Sequence, residues 1–90
     1  MKDKTPFIFK CDSIGYRKGF IEITPNIHPG NVNVETWLIH PHMDISDAKW
    51  VDEESLSDSR VTGNTEIELP AELATAVAEA LLLAASKVKN

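Results

Sequence analysis

Ninety residues with a net charge of −5 make one domain, spanning 1–90, and a chain this short buries only about 60–65% of its unfolded surface. The apolar fraction of 42% and charged fraction of 26% are those of an ordinary globular chain, and no apolar run approaches the ~20 residues of a membrane span. The single cysteine, Cys11, excludes an internal disulfide, and no basic stripe marks the chain for direct nucleic-acid binding.

The N-terminal Met1–Pro6 lacks the apolar stretch of a signal peptide, so we expect a reduced, cytoplasmic location. Residues 6–11 alternate as a strand, with Phe7, Phe9 and Cys11 on one side and Ile8 and Lys10 on the other. Cys11 is expected to be a small buried residue. Asp12 to Gly15 predicts a turn, and Tyr16 to Thr24 a second strand, which gives a hairpin. Gly19 inside that strand predicts a bulge. Pro29-Gly30 predicts a type II turn with the glycine at positive φ. Asn31 to Ile39 is the cleanest strand: Val32, Val34, Thr36 and Leu38 line one face, and Asn33, Glu35, Trp37 and Ile39 the other. Trp37 and Ile39 on the otherwise polar face predict that its far end is covered.

From His40 to Ser59 the periodicity fades, and we expect a long loop with a short edge strand near Ala48–Val51. Residues 41–69 hold eight acidic and two basic side chains. Gly63-Asn64 predicts a hairpin turn between Ser59–Thr62 and Thr65–Leu69. The helix then runs from Pro70, expected at the first helical position, to Lys89. Glu72 in its first turn and Lys87 and Lys89 in its last suit the helix dipole. The order of elements predicts an α+β fold: a small antiparallel sheet of four to five strands with one long C-terminal helix packed across one face.

The helix is too apolar for one buried face. Leu73, Val77, Leu81, Ala84 and Val88 form a stripe that we expect to meet the sheet, flanked by Ala74, Ala78 and Ala85. The apolar arc spans roughly 160°, against ~100° for a one-sided helix. Leu82 and Leu83 straddle the polar ridge of Glu72, Thr75, Glu79 and Ser86. A homodimer is therefore expected, with Leu82, Leu83 and Ala78 at its interface.

Two local patterns invite chemistry. His40-Pro41-His42-Met43-Asp44, after an apolar strand end, resembles the H-x-H-x-D part of the metallo-β-lactamase superfamily motif, which implies zinc held at a strand end. The family's next histidine is Ile45 here, and no histidine follows His42, so membership is not carried over. His40, His42 and Asp44 still lie on one side of an extended chain, as metal ligands would. A metal-binding protein or metal-dependent enzyme is thus the alternative function, although we expect no cofactor and no tight metal site. Ile67 to Leu73 resembles the strand-into-helix opening of ribbon-helix-helix repressors. Those need a basic strand and a second helix, whereas this strand carries Glu66 and Glu68, so DNA binding is not carried over. No catalytic constellation emerges, since adjacent carboxylates such as Glu53 and Glu54 define no acid–base geometry.

The expected function is that of a small acidic interaction protein that binds a protein partner through the partner's basic surface, as an inhibitor of a nucleic-acid-binding protein would. The expected partner-binding residues are Asp44, Asp47, Asp52, Glu53, Glu54 and Asp58, with Trp50 as aromatic anchor.

Overall fold

The computed structural model describes residues 4–48 and 60–88. Strands β1 (Phe7–Cys11), β2 (Lys18–Pro25), β3 (Asn31–Ile39) and β4 (Val61–Pro70) form one antiparallel sheet in the order β1-β2-β3-β4, and α1 (Ala71–Lys87) follows β4 directly. This is a small α+β fold with its helix against one face of the sheet. Among the described residues no helix is long and apolar enough to cross a membrane.

Strand β3 has the predicted bounds because its alternation is uninterrupted over nine residues. The turn before it is as its residues require. The Asn31 N–H donates to the His28 carbonyl at 3.1 Å, and Gly30 has φ +83°, the conformation that Pro-Gly favours in a type II turn. The β1–β2 connection is longer than the predicted Asp12–Gly15 turn, because Arg17 N–H bonds back to Ile14 and pairing with β1 starts only at Gly19.

The hairpin expected at Gly63-Asn64 does not form. Residues 61–70 are one continuous strand, with Gly63 opposite Leu38 and Asn64 opposite Trp37. Nine residues of β3 offer a full ladder of backbone partners, and a turn at Gly63-Asn64 would forfeit the three pairs of Trp37, Leu38 and Ile39. The sheet's irregularity lies between Leu38 and Ile39, where Thr62 is the extra residue on β4. Gly19, by contrast, pairs regularly on both sides. It is glycine because an added Cβ would lie 1.8 Å from the Trp37 carbonyl oxygen. Pro70 is not the first helical residue either. With ψ 156° it ends β4 in extended form and stands as the helix N-cap without a side-chain cap bond.

The core sits on the face expected to be mostly polar. Phe20, Ile39 and Ile45 are 2%, 1% and 4% exposed, with Ile8, Trp37, Met43, Ala48 and Val61 packed around them. The loop of residues 40–48 folds back over the far end of this face, as Trp37 and Ile39 predicted. Two turns shape it, Met43 N–H to His40 and Ala48 N–H to Ile45, and Lys10 ties it to β1 by donating to the Ile45 and Ser46 carbonyls at 3.1 and 2.8 Å. Ile45 is thereby a core residue supplied by a loop.

The opposite, apolar face is open. The helix lies against β4 and β3 and reaches no further across the sheet. None of its residues is buried, including the stripe expected to meet the sheet. Cys11, expected to be buried on this face, is exposed because the helix does not extend to β1.

Candidate functional site

The polar half of the core face carries a row of carboxylates. Glu22 of β2 stands opposite Glu35 of β3, which stands opposite Glu66 of β4. Three glutamates thus face the same way on strands about 4.8 Å apart. Like charges directly opposite one another weaken a sheet. Side-chain amides hold two of the three: Asn33, itself buried, donates to Glu66 at 2.9 Å, and Asn64 donates to Glu35 at 3.1 Å and to the Thr36 carbonyl at 2.9 Å. Amides orient carboxylates without cancelling their charge. The Glu22 carboxyl is pushed up from its ordinary range by burial, and then by the charges of Glu35 and Glu66.

Glu68 extends the acidic surface by one residue pair along β4. One of its oxygens meets His28 Nδ1 at 2.5 Å, and the other is buried without a partner among the described residues. Beside it Ile27, His28, Asn33, Glu66 and Ile67 shape a cleft of about 200 Å³.

The raised Glu22 value has a stability consequence. The folded chain holds that proton to higher pH than the unfolded chain, so stability falls as pH rises through the window between the two values. Glu22→Gln is expected to stabilise the protein at pH 7 by about 0.5 kcal/mol, the scale of a cross-strand charge pair. Denaturant titrations at several pH values check this, and the advantage should shrink as pH falls through the raised Glu22 range.

Of the residues expected to bind a partner, Asp44 and Asp47 are exposed on the loop over the core. Asp44 accepts the Ser46 N–H at 2.9 Å. Its carboxyl is held below the usual range by the Ser46 backbone and side-chain hydrogen bonds first, and by Lys18 and Lys10 after them. Trp50, Asp52, Glu53, Glu54 and Asp58, together with most of the edge strand expected near Ala48–Val51, lie outside the described residues. Ala48 itself is not in a strand.

The histidine pattern does not converge on one point. The His40 and His42 rings lie 5.1 Å apart, His40 Nδ1 accepts the His42 backbone N–H at 3.1 Å, and Asp44 is turned to Ser46. Among the described residues no three of His, Cys, Asp or Glu are grouped to hold a metal ion.

Sequence reasoning passed over the Glu22–Glu35–Glu66 row. Half of it was within reach: Asn26 and Asn31 bracket the loop, and pairing back from them brings Glu22 opposite Glu35. Adding Glu66 requires the β3–β4 register, which no short turn sets. No protein-family model, curated protein or solved structure matches this chain.

Proposed function

We propose that this chain is a small, non-enzymatic, acidic interaction protein that occupies the basic surface of a partner protein, a surface of the kind that otherwise takes nucleic acid. The observation that carries the reading is the in-register row of Glu22, Glu35 and Glu66. Charges placed this way weaken their own sheet, and a cationic surface would relieve the repulsion. The acidic excess of residues 41–69 adds to the same field. Stability traded against function at a binding surface is a common arrangement. Asp44, Asp47, Trp50, Asp52, Glu53, Glu54 and Asp58 complete the proposed surface. The protein acts in the cytoplasm, in keeping with its one unpaired cysteine, and as a homodimer.

The test is capture of the partner from native host extract on the immobilised full chain. Binding should be strong at low salt and fall steeply as ionic strength rises, because charge steering is screened beyond ~10 Å at 0.1 M. Glu22→Gln, Glu35→Gln and Glu66→Gln together should weaken capture at least about tenfold, roughly 1.4 kcal/mol, with the circular dichroism spectrum unchanged. Lysine at Asp52, Glu53 and Glu54 should slow association, and Trp50→Ala should speed dissociation. A partner whose binding survives all of these changes would sink the reading.

A further inference from the structure

The helix stands off the sheet it lies against. It meets only β3 and β4, none of its residues is buried, and Val77 and Leu81 on its sheet-facing side stay 40% and 67% exposed. Between helix and sheet is a cleft of about 500 Å³, floored by residues of all four strands, Phe9, Ile21, Val34 and Leu69 among them, and roofed by Val77, Ala78 and Leu81. Every residue that lines it is apolar. Its volume lies within the roughly 300–1,000 Å³ of small-molecule sites.

Height and charge together say what fits. A second helix needs about 8–10 Å between axes, and a helix already touching β3 and β4 leaves no such room beneath it. One layer of methylenes needs only about 4 Å. At Ile21 the cleft runs on into a shallower depression of about 400 Å³, over Cys11, Gly19 and Thr36 of the same face, with Arg17 at its end. From the Val32–Leu69 pair to the Leu38–Gly63 pair is six residues of strand, roughly 20 Å. Arg17 stacks near the Tyr16 ring, 5.9 Å away, and meets no carboxylate among the described residues. Lys18 lines the same end, but its register opposite Ile39 turns it to the core face, where its charge acts on Asp44.

We propose that this trough binds a free long-chain fatty acid, with the hydrocarbon tail in the cleft beneath the helix and the carboxylate at the Arg17 guanidinium. A planar carboxylate matches the guanidinium fork. A single guanidinium suits a monoanion better than a phosphate dianion. A concave site under a helix encloses one chain, where a membrane surface would need a protruding apolar face. The tail supplies the apolar layer that the helix lacks, so the bound chain seats the helix on its sheet. Leu82 and Leu83 do not line the site, and the carboxylate row lies on the other face of the sheet. The inference is therefore independent of the acidic interaction surface.

Titration of the full chain with palmitate, followed by calorimetry and native mass spectrometry, tests it. The expected result is saturable uptake of one palmitate per chain, with a melting temperature that rises with ligand concentration. Ala78→Trp and Val77→Trp fill the cleft and should each weaken uptake at least about tenfold. The circular dichroism spectrum should be retained, since neither side chain is buried. Arg17→Gln should weaken palmitate binding about threefold, the scale of an exposed ion pair, and leave hexadecanol binding unchanged. Glu79→Lys on the polar ridge should leave both unchanged. No saturable uptake, or uptake that survives both tryptophan variants, overturns the site. An equal loss of palmitate and hexadecanol in Arg17→Gln overturns the placement of the carboxylate. A chain that sediments with anionic phospholipid vesicles and takes up no palmitate overturns the free fatty acid in favour of a membrane. None of these outcomes alters the capture test with the glutamine variants.

Discussion

Gly19→Ala is expected to lower the melting temperature by roughly 15 °C, corresponding to about 3 kcal/mol in a domain of this size. The added methyl would lie 1.8 Å from the Trp37 carbonyl oxygen, 2.9 Å from the Trp37 carbonyl carbon and 3.2 Å from the Leu38 Cα. All three are backbone atoms of the paired strand, so no side chain can swing aside. Strands β2 and β3 must part at the end where they carry Phe20 and Ile39, two of the three buried core residues. Gly15→Ala is the control. It has open space around the new methyl and no positive φ, and its melting temperature should stay within about 3 °C of the parent, the scale of a neutral surface change. A well-tolerated Gly19→Ala would mean that the two strands do not approach each other as described.

Ile39→Ala and Ile45→Ala are each expected to destabilise the protein by about 3 kcal/mol, within the range for emptying a buried aliphatic position. With three buried apolar residues in its core cluster, the described part of the chain has little reserve, and either change should leave a substantial unfolded fraction at 37 °C. The two losses should not add. Ile45 reaches the core only by seating on the sheet face where Ile39 lies, so once one is removed the other packs against less. Chemical denaturation of both singles and the double should show a double mutant less destabilised than the sum by about 1 kcal/mol, the usual coupling between residues in contact. Full additivity would mean that loop 40–48 stands apart from the sheet.

These two experiments also mark where sequence reading and structure part. Ile39 was legible as a covered residue on a polar-looking face, because alternation in β3 assigns each residue to a side. Its partner was not legible. Ile45 lies in a run without periodicity, between Asp44 and Ser46, and nothing local distinguishes it from a solvated loop residue. Gly19 was legible as unusual, but the bulge it suggested is absent, since the close approach that demands glycine comes from Trp37, eighteen positions away. The carboxylate row has the same character. Each glutamate reads as an ordinary polar residue on an alternating strand, and only pairing brings the three together.

The sequence by itself determined the order of elements, the bounds of β3, the type II turn at His28–Asn31 and the C-terminal helix with its excess of apolar surface. Alternation, turn chemistry and helix propensity act over a few residues, so these features are written locally. Tertiary structure alone decided that residues 61–70 form one strand instead of a hairpin, that the tightest core lies under a loop on the charged face, and that the helix lies against β3 and β4 with none of its residues buried. Each of these depends on strand register and on the placement of the helix across the sheet. Register is set by partners distant in sequence, and a shift of one residue would turn every side chain of a strand to the other face.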